Sequence, residues 1–154
     1  MDSYSVHYKF SQHFDFSAKE AFDWSVDYRR DDIPLLGKAG GRGIRRINRD
    51  TLILTDTFFT SRKPEIKRRL IRMYPERLTM VNTRVSPKDR YSQFIYEFVP
   101  EGHGSRLDFT GAHVFYGKRP SPSKVAALTR ELTEEDADIW KRLALAMKKD
   151  LSKG

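Results

Sequence analysis

Tyr4-Ser-Val-His-Tyr-Lys-Phe-Ser-Gln-His-Phe-Asp15 runs directly into Phe16-Ser-Ala-Lys-Glu20. In the first segment Tyr8, Phe10, Phe14 and Phe16 share one face with Val6, interrupted only by Gln12. Ser5, His7, Lys9, Ser11, His13 and Asp15 share the other. Successive strand side chains point to opposite faces, so this alternation predicts a long, half-buried strand. Ser17-Ala-Lys-Glu20 has the spacing of a capping box, in which Ser and Glu each bond the other's backbone N–H. Ala21, Phe22, Trp24 and Val26 follow it, which predicts a short helix over about residues 18–27. At the other end Ile139, Trp140, Leu143, Met147 and Leu151 recur at helical spacing, the apolar stripe of a closing amphipathic helix.

Sheet is expected between these brackets. Segments 43–47 and 51–60 flank an Asn48-Arg49-Asp50 turn, and 66–74, 77–85, 91–99 and 106–116 follow across turn-forming Pro, Gly, Asp and Ser. Consecutive hairpins imply an antiparallel sheet. Asp32 is placed to cap a short turn at 33–36, with Pro34 early in it and Gly37 as its stop. Gly40, Gly41 and Gly43 read as a hinge or turn before the sheet, since they lack the lysine and Ser/Thr of a phosphate-binding loop. Ser121-Pro122 suits a helix start, and Thr133 with Asp136 resembles a second cap, leaving two helices or one kinked helix open. The fold class is therefore α+β: a curved antiparallel sheet of about seven strands around a long C-terminal helix, with short helices after the first strand. Residues 1–154 read as one domain.

Composition narrows the function classes. The chain has 154 residues, 38% hydrophobic and 32% charged, and no apolar run near the roughly 20 residues of a membrane span. The N-terminus lacks the pattern of a secretory signal. The absence of cysteine excludes disulfides, thiolate zinc sites and cysteine nucleophiles, and a cytoplasmic location is expected. The net charge of +8 is uneven: residues 29–90 hold 17 Lys plus Arg against 7 Asp plus Glu, and the remainder carries −2. This basic sheet region either forms ordinary solvated faces or attracts an anionic partner such as nucleic acid, a lipid surface or an acidic protein.

The order of elements resembles the helix-grip fold of the START-like, Bet v 1-like superfamily, which includes polyketide cyclase/dehydrase and lipid-transport proteins. Phe10 to Trp24 resembles its first strand and helix, Phe94 to Phe109 its last hairpin, and Glu135-Asp136 with Trp140-Lys141 the start of its closing helix. The resemblance implies an apolar cavity between sheet and helix. The leading expectation is binding or transport of a hydrophobic small molecule (a lipid, quinone or polyketide-like ring) without a cofactor. The alternatives are a cyclase- or hydratase-type enzyme using the same cavity, or a nucleic-acid or anionic-surface binder acting through residues 29–90.

Alternation nominates the cavity lining. Phe94, Tyr96 and Phe98 share one strand face, and Leu107, Phe109, His113 and Phe115 another. Tyr8 and Phe10 come from the first strand, and Leu52, Leu54 and Phe58 (or, in the other register, Ile53 and Phe59) from the middle. Tyr74 offers a hydroxyl, and Trp140, Leu143 and Met147 come from the closing helix. The candidate polar anchors are His113, Asp56 and Arg72, with Arg68 and Arg72 as candidate partners for the carboxylate. A bulge at Gly111 would turn His113 outward. No metal is expected: His7 and His13 share a face, but three side-chain steps separate them by about 20 Å. Glu134, Glu135 and Asp136 read as helix-capping charges.

Overall fold

The computed structural model describes residues 2–153. Strand β1 (Ser3–Phe14) leads into helix α1 (Ala18–Ser25) and a 3-10 turn at Ile33–Leu36. Strands β2 (Gly40–Asn48), β3 (Thr51–Phe58), β4 (Glu65–Tyr74), β5 (Thr79–Ser86), β6 (Arg90–Glu101) and β7 (Gly104–Tyr116) follow, and helix α2 (Pro122–Leu151) closes the chain. The seven strands form one antiparallel sheet in the order β1-β7-β6-β5-β4-β3-β2. β1 and β2 are therefore opposite edges, and α1 with the 3-10 turn crosses from one to the other. α2 packs on the inner face of the sheet through Trp140 and Met147, joined by Leu128, Leu132, Leu143 and Leu151.

The start of the chain forms as the sequence dictates. Val6, Tyr8 and Phe14 are buried on the inner face of β1. Ser17 Oγ accepts from the Glu20 N–H at 3.1 Å, and the Glu20 carboxylate accepts from the Ser17 N–H at 3.3 Å, closing the capping box. The cap ends β1 at Phe14, so Phe16 falls outside the strand.

Three expectations change. Gly40 to Gly43 are not a hinge or turn but the first residues of β2. A Cβ on Gly40 would sit 1.8 Å from the Thr57 carbonyl oxygen, so glycine is what lets this edge strand pair so closely. Asp32 makes no side-chain cap on the 3-10 turn; its carboxylate accepts from the Arg29 N–H at 2.7 Å and from Arg42 at 3.0 Å instead. Thr133 and Asp136 start no second helix. α2 is continuous over 30 residues, and the Thr133 hydroxyl donates back to the Thr129 carbonyl at 2.6 Å.

Candidate ligand-binding cavity

The inner sheet face and α2 leave a cavity of about 200 Å³ between them. Roughly 150 Å³ holds benzene, so this space suits a body of about two rings. Tyr8, Phe94, Tyr96 and Phe109 wall it from the sheet, Leu132, Ile139, Trp140 and Leu143 from α2, and Trp24, Tyr28, Leu35 and Leu36 from the edge-to-edge crossing. Phe109 is the hub of the aromatic wall. It stacks on Phe10 at 4.4 Å and on Tyr8 at 6.2 Å, and meets Tyr96 edge-on at 5.0 Å.

A hydrogen-bonded chain crosses one side of the cavity. β1 and β7 pair without a shift, so Tyr8 lies directly opposite Gly111. A Cβ at Gly111 would come within 2.5 Å of the Tyr8 ring; its absence lets the ring lie flat on the strand between Phe109 and His113. No bulge occurs at Gly111, and His113 points inward, 3% exposed. Tyr8 donates a hydrogen bond to the Asp136 carboxylate. His113 Nε2 lies 3.0 Å from the Tyr8 hydroxyl, and Nδ1 lies 2.7 Å from Ser92 Oγ. Because the Tyr8 proton goes to Asp136, His113 donates from Nε2 and Nδ1 accepts from Ser92. Burial, helped by the positive charges of Arg90, Arg84 and Lys67, pushes His113 down to about 4, so the imidazole is neutral at pH 7. Burial raises Asp136 to about 6; Tyr8, Lys67 and Arg69 oppose that rise and Glu135 adds to it. The cavity thus presents a carboxylate that exchanges its proton near neutral pH, backed by a phenol and a neutral imidazole.

Asp56 anchors a second polar group on the far side. It is fully buried and accepts from Arg42 at 2.7 and 3.0 Å and from Arg69 at 2.6 Å, while Asp32 takes a further Arg42 bond. Burial works against its ionisation, but the bonds and charges of Arg42 and Arg69 outweigh burial and hold the carboxyl below its usual range.

No family model matches the sequence, and no curated protein matches it. Solved structures do. The allergen structure Ara h 8.0201 superposes with a TM-score of 0.76 at 13% identity, over 95% of this chain and 99% of that one. The Zhui aromatase/cyclase from Streptomyces sp. R1128 gives 0.73 at 7% identity, over 96% of each chain. Norcoclaurine synthase from Thalictrum flavum, in complex with dopamine and hydroxybenzaldehyde, gives 0.62 at 15% identity, over 94% of this chain and 88% of that one. The fold is the Bet v 1-like helix grip.

Within the helix-grip cavity the structure brings together Tyr8, Phe58, Phe94, Tyr96, Phe109, His113, Trp140 and Leu143. The other nominated residues lie elsewhere. Phe98 packs behind the lining against Phe14, Phe22 and Trp140, and Met147 is core farther along α2. Phe10 backs Phe109 from behind, and Phe115 sits between Tyr4 and His113, outside the lining. Tyr74 is 42% exposed on the outer face, with Arg72 stacked over its ring at 5.7 Å. β4 carries apolar residues on both faces, so alternation does not settle which face points inward. Ile71 and Met73 point inward, and Tyr74 does not. The same parity makes Arg69, with Arg42 from β2, the partner of Asp56; Arg68 and Arg72 face out.

Sequence reasoning missed Asp136, which lines the cavity instead of capping a helix. The signal was its position: Leu132, Asp136, Trp140, Leu143 and Met147 form one stripe, and a carboxylate in an apolar stripe is a candidate site residue. It also missed Met80, Asn82 and Arg84, which alternate inward along β5. The basic region is divided by the sheet. Lys38, Arg42, Lys67, Arg69, Arg84 and Arg90 line the cavity, while Arg45, Arg68 and Arg72 stay outside.

Proposed function

We propose that the protein binds a hydrophobic, ring-containing small molecule of about two rings between the sheet and α2. The observation that carries this reading is an aromatic-walled cavity of about 200 Å³ at the place where the helix grip closes. Burial of the ligand's apolar surface supplies the affinity, at roughly 25 cal/mol per Å² before ordering costs. The Asp136 carboxylate, held by Tyr8, orients a hydroxyl on the ligand by accepting its proton in a hydrogen bond. Of the similar structures, one is an aromatase/cyclase and another holds dopamine and hydroxybenzaldehyde, both consistent with ring-shaped occupants. Among the described residues no helix is long and apolar enough to cross a membrane.

The test is an NMR titration with 2-naphthylmethanol, a neutral two-ring probe. Saturable shifts centred on Tyr8, Phe94, Phe109 and His113 are expected. No shifts at these residues, with this or with charged two-ring probes, would sink the reading.

A second reading, acid/base catalysis of the cyclase type, is favoured by one observation. The Ser92–His113–Tyr8–Asp136 chain ends in a cavity-lining carboxylate held at about 6, suited to accept a proton from a bound ligand at neutral pH. A turnover rate lost in Asp136→Asn, with ligand affinity retained, separates an enzyme from a carrier.

A further inference from the structure

Lys67, Arg84 and Arg90 project from the inner faces of three adjacent strands, β4, β5 and β6, and all three line the cavity. They are buried further than such residues normally are: the Arg84 side chain is 8% exposed and that of Lys67 23%. Their acidic neighbours are weak matches. Asp89 stands 3.8 Å from Arg84 and is 71% exposed, and Glu65 stands 3.5 Å from Lys67 and is half exposed. Arg90 lies over the Phe115 ring at 5.5 Å and has no acid within ion-pair distance among the described residues. Arg42 and Arg69 in the same cavity differ, because Asp56 and Asp32 match them.

The three cations also act on one another. Burial lowers Lys67 below its usual range, with Lys38, Arg84 and Arg90 pushing the same way; burial and Arg90 do the same to Arg84. The Nε donors of Arg84 and Arg90 are buried without a hydrogen-bond partner. Buried unmatched charge and unpaired donors are costly, and folded proteins leave few of them. An oxyanion between these side chains supplies both the missing charge and the missing acceptors. Farther along the same sheet wall Phe94 and Phe109 offer an apolar bed for the rest of the molecule, while Glu135 and Asp136 at the α2 wall disfavour a second negative group.

This inference rests on the reading of the cavity as a site for an apolar molecule, and it names the class. We infer that the ligand is an amphipathic anion: a two-ring or comparable apolar body bearing one oxyanion, a carboxylate or phosphate ester, held by Lys67, Arg84 and Arg90.

Calorimetric titration with three probes that share one naphthyl body tests it: 2-naphthoate, 2-naphthyl phosphate and neutral 2-naphthamide, the carboxylate and the amide being isosteric. At least one anion is expected to bind tenfold or more tightly than the amide, and which one identifies the head group. Arg84→Gln and Lys67→Met are expected to bring the preferred anion down to the amide's affinity. Lys67→Met removes repulsion and leaves the Arg42–Asp56–Arg69 cluster intact, so it decides the matter if Arg84→Gln folds poorly. Binding of the preferred anion is also expected to raise the pKa of His113, followed by NMR, whereas the amide leaves it in place. An amide that binds as tightly as both anions, or an anion preference that survives both substitutions, overturns the inference and leaves the apolar-cavity reading standing. Binding of none of the three removes both.

Discussion

Gly111 and Tyr8 show how one missing methyl group positions a functional side chain. The Tyr8 ring occupies the space a Cβ would take and is held between Phe109 and His113, so it has little room to retreat. Gly111→Ala is expected to cost about 1–3 kcal/mol, the usual scale of overpacking, and to lift Tyr8 away from Asp136. Losing that hydrogen bond removes an influence that lowers the Asp136 pKa, so the carboxyl should titrate still higher. Urea denaturation and an NMR titration of Asp136 check the two effects; unchanged stability would show that the ring is not held as described. The glycine was visible in the sequence. Its role was not, because it depends on which residue of another strand lies opposite.

At the scale of elements, Asp56 ties the sheet's far edge together. It sits on β3 and bonds Arg42 of β2 and Arg69 of β4, and Arg42 also reaches Asp32 beside the 3-10 turn. A buried charge cluster loses heavily when one member is neutralised, because the remaining charges stay buried unmatched. Asp56→Asn is therefore expected to destabilise the protein by about 3–5 kcal/mol. Arg72→Ala, on the exposed outer face of β4, should fall within about 0.5 kcal/mol of the parent. Comparable losses from the two substitutions in urea denaturation would contradict the assigned faces of β4. Helix α2 shows the same dependence on partners. Its apolar stripe is legible in the sequence, but Asp136 beside Thr133 reads equally well as a local cap until the helix is known to run unbroken through it.

Across the whole molecule, the two titrating groups of the cavity bias stability in opposite directions with pH. Asp136 titrates at about 6 in the folded chain against 3.8 ordinarily, so between those values the folded state holds a proton that the unfolded state has lost. Its contribution to stability therefore falls as pH rises through that window. His113 titrates at about 4 against 6.5 ordinarily, so between those values the unfolded state holds the extra proton, and its contribution rises with pH. Relative to the parent, Asp136→Asn is expected to gain stability from pH 4 to pH 6, and His113→Gln to lose it from pH 4 to pH 6.5. Urea denaturation of the three proteins at half-unit pH steps measures both slopes; parallel profiles would mean that neither group is perturbed by the cavity. Burial is the main cause of both shifts, and Tyr8, Glu135, Lys67, Arg69, Arg84 and Arg90, which face these two groups, adjust them.

The sequence by itself determined the architecture. Period-two alternation in β1, β6 and β7, the Ser17–Glu20 capping box, the Ser121-Pro122 start and the apolar stripe of α2 are local signals, each resolved by residues within a few positions of one another. They also found the aromatic wall, because Phe94, Tyr96, Phe109 and His113 lie on strands with one plainly apolar face. Only the tertiary structure decided the polar content of the cavity. β4 mixes charged and apolar residues on both faces, and β5 sets Met80, Asn82 and Arg84 against an outer face of Thr and Val, so alternation alone could not tell Lys67, Arg69 and Arg84 inside from Arg68 and Arg72 outside. Their side was fixed by pairing with β3 and β6. The approach of α2 then brought Asp136 to a tyrosine 128 residues away in sequence.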